Sequence, residues 1–550
     1  MQTKLMQSLA AGAAVLFFQT LPQLALAQAA GAAIEGLVSS EAEGAMEGVV
    51  VSARKPGGLV MVSVTTDDKG RFSFPKGRLE PGEYNIAIRA VGYDLPAKVN
   101  ASVAADKPAS LDIKLRKTRN LSAQLTNAEW LMSIPGTAEQ KDFLMDCTSC
   151  HTIERIFRSS HGVEEWMDTI HRMRGYAPVS QTIKPQRMLD PSRAGNREDY
   201  RKAAEYLATV NLSDTEKWEY PLKTMPRPKG AATKAIVTEY FLPRPTIEPH
   251  DVILDKDGVV WYSNFGEMFI GKFDTKTLQH TEYPVKQYKA NAPVGILDIE
   301  FDKEGKLWFD SMYQGALGRL DPKTGQIESF QVPAKWNDDR AQLNFVGVRH
   351  DVDGKVWTKD VGTQNVLRLD IKSGEWELFR PTDKLRGPRG IYQLISDSKN
   401  NAWLAEFANG HLGKIDAKTG EVTWYPTPTP RARARRMHID ENDNILVTLY
   451  RSNSVAYFDT KTTKYTEHKL PTEWTAPYRA ANDKNGDIWV SNMTSDRVVR
   501  FHPSTGKSTE YLMPTETNMR SAYVDNTGPK PVFWVGSNHT AALVKVEPLE

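Results

Sequence analysis

One phrase recurs every 42 to 49 residues from residue 234 to the end of the chain, and it limits the fold more than any other feature. Trp261, Trp308, Trp357, Trp403, Trp489 and Trp534 each follow an acidic, Asn or Gly turn, and Val447 stands in the one missing place. After most of them comes a strand ending in Asp and a turn, as in Lys272–Thr277, Arg319–Gly325, Arg368–Gly374, Lys414–Gly420 and Tyr457–Thr462. A T-E-Y strand then follows, as at Thr281-Glu282-Tyr283 and Thr509-Glu510-Tyr511. Four short strands per unit at a period in the forties predict a β-propeller. The last repeat stops at Val546-Glu547-Pro548, before its T-E-Y strand, and the missing strand stands ahead of the first repeat as Thr238–Pro243. Pairing the two ends would close seven blades into a ring without a free edge.

The rest of the 550 residues leaves room for further domains at roughly 100–200 residues each. Lys plus Arg number 70 against 68 Asp plus Glu, a net charge of +2, which gives no electrostatic basis for binding nucleic acid. Past the N-terminus no apolar run approaches the ~18 residues of a membrane span, so an integral membrane protein is not expected. Residues 1–27 begin with Lys4, continue through an apolar core from Leu9 to Phe18, and end in Ala25-Leu26-Ala27. This is the layout of a secretory signal peptide, predicting export to the periplasm and a mature start near Gln28.

Residues 32–117 alternate apolar and polar positions between turns. Val49–Val51, Phe72–Phe74 and Ile86–Ile88 read as strands, with turns at Thr66–Gly70 and Leu79–Tyr84. The order T-D-D-x-G-x-F, then L-x-P-G-x-Y, then Gly92-Tyr93 resembles the carboxypeptidase regulatory-like domain, a small β-sandwich. The resemblance implies a passive part in spacing, docking or folding.

The only two cysteines lie three apart in Cys147-Thr148-Ser149-Cys150-His151, within residues 120–215. C-x-x-C-H lets two thiols add to haem vinyl groups while the next His reaches the iron, predicting one covalent haem c. Glu139–Met145 and Arg201–Val210 have helical spacing, and Trp166, Ile170 and Met173 form a W-x-x-x-[IV]-x-x-M element. Together these resemble a class I cytochrome c. Met173 is the first candidate for the sixth iron ligand and Met188 the second, with Met167, His161 and His171 behind them. A His/Met pair would suit electron transfer to a periplasmic redox partner. Residues 216–233, with Pro221, Pro226 and Pro228, read as a semi-rigid linker to the propeller of residues 234–550. The expected fold class is therefore mainly β with a small α domain: a β-sandwich, a helical cytochrome c domain and a seven-bladed propeller.

The phrase [IL]-G-[KR]-[IL]-D-x-x-[TS]-G, with Glu248-Pro249-His250 and Trp403-Leu404-Ala405-Glu406, resembles the virginiamycin B lyase family. The resemblance implies a seven-bladed propeller and Mg-dependent elimination. His250 or His438 would be the base and Glu406 would help to hold Mg. The last two blades, however, carry Pro477-Tyr478-Arg479 and Asn518-Met519-Arg520 where the family has P-H, and no Glu after their Trp.

Loops entering the innermost strands lie at the mouth of a propeller channel. Read in order they offer His250, Val294, Val346, Arg389, Arg436, Arg479 and Arg520, with Arg431, Arg433, Arg435 and His438 added in blade five and Asp360 nearby. Arginine forks hold carboxylate or phosphate, so this mouth predicts a small anionic ligand. A propeller joined to haem c is similar in architecture to quinohaemoprotein dehydrogenases, whose tricarboxylate quinone would suit an arginine mouth, although their signature blade motifs are missing. Three functions therefore compete. They are an oxidoreductase passing electrons through its haem, a Mg-dependent lyase, and a non-catalytic redox or docking protein.

Overall fold

A computed structural model describes residues 31–211, 218 and 220–550. The expected signal peptide lies outside the described residues, as does most of residues 212–219. Among the described residues no helix is long and apolar enough to cross a membrane.

Seven four-stranded antiparallel sheets form the propeller. Six are contiguous in sequence. In the seventh, Met519–Asp525, Val532–Ser537 and Ala542–Pro548 are completed by Ala235–Phe241, in register from Ala235 opposite Pro548 to Phe241 opposite Ala542. The displaced strand thus joins the two ends of the ring, as the repeat arithmetic predicts.

The repeated turn has a physical reason. Asp255 Oδ1 accepts the backbone N–H of Asp257 and Val259, while its Oδ2 accepts Trp261 Nε1 at 2.9 Å. Asp302 and Trp308, Asp397 and Trp403, and Asp483 and Trp489 repeat the bond at 2.9–3.0 Å. One carboxylate therefore shapes the hairpin and satisfies the only polar atom of the tryptophan buried between blades. Gly258, at φ +76°, supplies the left-handed residue the turn needs.

The N-terminal β unit packs two sheets around Ile34, Val38, Val51, Phe72, Phe74 and Ile86. One of its strands, Val60–Thr65, pairs with Ala235–Phe241 through Val237 opposite Ser63 and Tyr240 opposite Val60. The sandwich thus extends the seventh blade and covers an edge that would otherwise offer free N–H and C=O groups.

The helical segment contains Asn127–Ser133, Val163–Arg174 and Arg201–Val210 with shorter turns between them. Arg201–Val210 is helical over the expected span. Glu139–Met145 is not one helix. It divides into Ala138–Lys141 and Leu144–Cys147, parted at Asp142, whose carboxylate is drawn to Arg433 at 3.1 Å and Arg451 at 3.3 Å. The helices share one core with the propeller: Trp130, Leu144, Met145, Phe157 and Met167 join Tyr450, Tyr478 and Met493. Residues 177–188 cross the opposite side of the mouth, where Gln186 exchanges bonds of 2.7 and 3.1 Å with the Val294 backbone.

Candidate functional site at the propeller mouth

Strand pairing sets the levels of the channel. Pro249, Ile391, Ala434, Pro477 and Met519 stand opposite the last residue of their neighbouring strands. His250, Tyr392, Arg435, Tyr478 and Arg520 follow them and form one level. Asp251, Gln393, Arg436, Arg479 and Ser521 form the next level in. The repeat spacing puts Arg389, Arg436, Arg479 and Arg520 in a single ring, and the register corrects this. Arg436 and Arg479 lie one residue deeper than Arg520, and a slip of one residue changes the direction of a strand side chain.

Arg389 is not in the channel. It lies on the loop before Ile391–Ser396, 46% exposed, and pairs with Asp383 at 3.1 Å. Arg436 is buried and neutralised by Asp251 at 2.7 Å and Asp298 at 3.0 Å. Arg479 donates to Ser521 Oγ at 2.8 Å.

Asp360 and Glu406 are turn residues rather than open ligands. Asp360 accepts the N–H of Gln342 and Gly362 and the Thr363 hydroxyl. Glu406 accepts the N–H of Ala408 and Asn409 at 3.0 and 2.8 Å. Asn264 accepts Gly266 N–H from the equivalent place in blade one. His438 is two residues further along its strand than Arg436, and burial lowers its pKa to about 4. His250, Glu406 and His438 therefore do not converge. Among the described residues no group of three or more His, Cys, Asp or Glu is placed to hold a metal ion. The donor set does not fit Mg.

His250 belongs instead to a buried chain of hydrogen bonds. Its Nδ1 meets Asp251 Oδ1 at 2.6 Å and its Nε2 meets the Tyr478 hydroxyl at 3.0 Å, which lies 2.7 Å from the Tyr392 hydroxyl. Burial holds the His250 pKa well below the ordinary histidine value, and Arg436, Arg520 and Arg435 add to this. The ring is neutral at pH 7. Burial alone would raise the Tyr392 phenol, but Arg435, Arg436, the Tyr478 hydroxyl and Arg520 outweigh it and bring it below the usual tyrosine value. Tyr392, Asp251 and Asp298 do not stand out in the sequence. The readable signal is the alternation of the P-H-D and P-Y-R phrases, which match at Pro rather than at Arg.

The C-x-x-C-H segment lies over this mouth. Asn518 Nδ2 donates to the Thr148 carbonyl at 2.9 Å and Arg520 to the Ser149 carbonyl at 3.3 Å. The Tyr450 hydroxyl donates to the Met145 carbonyl at 3.3 Å, and Arg433 reaches Asp146 at 3.4 Å. Cys147 and Cys150 are free thiols, raised by burial to about 12 and 11. His151 Nδ1 lies 2.8 Å from the Thr152 carbonyl, so it carries the proton and leaves a lone pair on Nε2. Nearby, Glu248 is pushed up to about 8 by burial. Met173, in the last turn of Val163–Arg174, is 43% exposed. Met188 packs against the Phe265–Tyr313 cluster, and His161 lies 3.6 Å from Glu165.

Residues 281–548 match the model of the virginiamycin B lyase family, and residues 33–116 that of the carboxypeptidase regulatory-like domain. The propeller is virginiamycin B lyase-like. A streptogramin B lyase structure is 19% identical, with a TM-score of 0.50 over 58% of this chain and all of that one. Virginiamycin B lyase from Staphylococcus aureus is 18% identical, with a TM-score of 0.49 over 57% of this chain and all of that one. At such identity the likeness is one of fold. No curated protein matches the chain. Glu248, His250 and the chain to Asp251 precede the matched region.

Proposed function

We propose that this is an exported c-type haem protein with oxidoreductase activity, whose propeller binds a small anionic molecule beside the haem. The observation that carries the reading is the seating of the C-x-x-C-H segment on the channel mouth by Asn518, Arg520, Tyr450 and Arg433. An attached redox group and a ligand in the mouth would then be neighbours. The residues fit haem c. Two half-buried free thiols stand at the right spacing, and the bond from His151 Nδ1 to the Thr152 carbonyl presents Nε2 as a donor. Met173 would be the thioether that joins His151 in holding the iron, because it is exposed whereas Met188 packs against the propeller core. Haem c, when bound, supplies one-electron transfer to a second redox protein.

The chain itself handles the proton. The Tyr392 and Tyr478 hydroxyls and His250 Nε2 form one hydrogen-bonded path along which a proton could be relayed to and from a ligand in the mouth, with His250 neutral at rest. Asp251 fixes the ring by accepting from Nδ1. Arg435 and Arg436 favour the phenolate form on the way. In this reading residues 1–27 act as a secretory signal and the compartment is the periplasm, where covalent haem attachment can occur.

The test is a visible spectrum of the protein purified from the periplasm, oxidised and reduced, beside Cys147→Ser/Cys150→Ser and Met173→Ala. The expected result is a reduced c-type spectrum that survives denaturation, is lost in the double serine variant, and changes iron coordination in Met173→Ala. Purification without covalently bound haem would overturn the proposal.

A further inference from the structure

Among the described residues five arginines are buried: Arg368, Arg435, Arg436, Arg497 and Arg520. Three hold carboxylates. Arg368 pairs with Glu377, Arg436 with Asp251 and Asp298, and Arg497 with Glu510. Arg435 and Arg520 hold none among the described residues. Both belong to the channel level that lies just below the C-x-x-C-H segment.

Arg435 is 7% exposed and stands inside an aromatic cage. Its guanidinium carbon is 4.2 Å from the Tyr450 ring centre, 4.6 Å from Tyr478, 4.7 Å from Tyr392 and 5.6 Å from Phe407. Arg520 is 2% exposed, donates to the Ser149 carbonyl and to Met493 Sδ, and faces the Tyr478 ring at 5.5 Å. The Nε of each is buried without a partner. Cation–π contacts offset part of the desolvation of a buried guanidinium, but they place no full negative charge opposite it. Two such cations around one tyrosine call for a shared anion.

The same neighbourhood has other unfilled polar atoms. Asn518 Oδ1, both amide atoms of Asn538 and His539 Nε2 are buried without partners. His539 lies beside Arg520, His151 and Ser149. Of these, Asn538 Nδ2 can donate to an anion, as can His539 Nε2 when it carries the ring proton, whereas the amide oxygens of Asn518 and Asn538 are acceptors and take no part in holding one.

We propose that Arg435 and Arg520 form a carboxylate-binding site enclosed between the propeller mouth and the Cys147–His151 segment. Two planar forks suit carboxylate, and the tyrosine walls exclude water from it. The site rests on the haem reading only for one of two sources of that carboxylate: a propionate of the attached haem, or a free small mono- or dicarboxylate entering the mouth. It also replaces the ring of four arginines expected from the sequence with a pair, leaving Arg436 as a structural cation and Arg389 at the surface.

The experiment uses the full-length purified protein and the variants Arg435→Gln, Arg520→Gln and Arg435→Lys, with exposed Arg340→Gln as control. Circular dichroism first establishes folding, and Arg435→Lys keeps the charge while losing the fork. Each protein is titrated with acetate and succinate, followed by calorimetry and tryptophan fluorescence, and its haem midpoint potential is measured across pH 5–9. A free-carboxylate source predicts saturable binding by the wild type, weakened about 10–100-fold in each variant and unchanged in the control. A propionate source predicts no such binding, but a changed potential and pH dependence in the Gln variants with haem content intact. Wild-type behaviour of Arg435→Gln and Arg520→Gln in both measurements overturns the site. If the protein carries no haem, the haem reading fails while the titrations still decide the site.

Discussion

Arg436 offers the sharpest test of how the channel is built. Its guanidinium has no contact with water and bridges Asp251 and Asp298, which come from the innermost strand of blade one and the start of blade two. Arg436→Met leaves both acids in place. Removing one partner of a buried pair costs about 3–5 kcal/mol, because a desolvated charge is left behind. The loss should depend on pH. Burial raises Asp298 to about 7, the neighbouring Asp251 adding to it and Arg436 opposing. An acid with a higher pKa folded than unfolded binds a proton on folding, so its stabilisation is present at low pH and is lost as pH rises from about 4 through 7. Without Arg436 that pKa climbs further, and at pH 5 Asp298 is neutral with no charge to strand. The penalty at pH 8 should therefore exceed that at pH 5 by about 1.4 kcal/mol for every tenfold weakening of the acid. Urea unfolding followed by tryptophan fluorescence at both pH values measures it, and adding Asp298→Asn should recover part of the pH 8 loss. Equal penalties at the two pH values, or a loss under about 1 kcal/mol, would refute the reasoning.

Three other outcomes are expected. Asp397→Ala removes one acceptor that serves the turn backbone and Trp403 Nε1, and should destabilise the chain by about 1–3 kcal/mol, measured as a fall in the urea midpoint. Deleting residues 32–117 uncovers the Ala235–Phe241 edge, so the truncated protein should self-associate in sedimentation where the full chain does not. Burial lowers His438 to about 4, so the unfolded chain protonates there first and the contribution of this one group falls as pH drops from about 6.5 to 4; His438→Gln should therefore lose less stability than the wild type over that range, in thermal melts at constant ionic strength.

The ring was readable because each blade repeats its own chemistry. An aspartate six residues ahead of a tryptophan writes one turn and one buried bond into every unit that keeps both, and the displaced Thr238–Pro243 strand reported the closure. The site was less readable for a reason of scale. Arg435 and Arg436 are adjacent in sequence, yet one stands in an aromatic cage and the other in a clasp of two aspartates. A period in the forties aligns blades to within a residue or two, whereas the channel distinguishes single residues. The irregular pairing after Ala434, Pro477 and Met519 moves that boundary again. Glu406 misled for a related reason. Its place after the tryptophan is a turn-capping position shared with Asn264 and Asp360, so a carboxylate there satisfies the backbone before it can serve a ligand.

The covering of the mouth changes what the channel arginines mean. An open propeller could leave Arg520 hydrated, and its charge would then say little about a ligand. Here Asn518 and Arg520 hold the carbonyls of Thr148 and Ser149, and Tyr450 holds that of Met145. The contacts remove water from both sides at once, from the thiols above and from the tyrosines and His250 below. Desolvation raises the thiols, lowers His250 and leaves Arg435 without a counter-ion. A loose tether between helical segment and propeller would produce none of these effects. The seating of the C-x-x-C-H segment is therefore the feature on which both the redox reading and the carboxylate site depend. Asn518→Ala together with Tyr450→Phe, which removes two of the carbonyl contacts and leaves both arginines in place, should increase hydrogen exchange in residues 142–151 while the blades stay protected. Unchanged protection there would mean that the segment holds itself in place and that the mouth is only its neighbour.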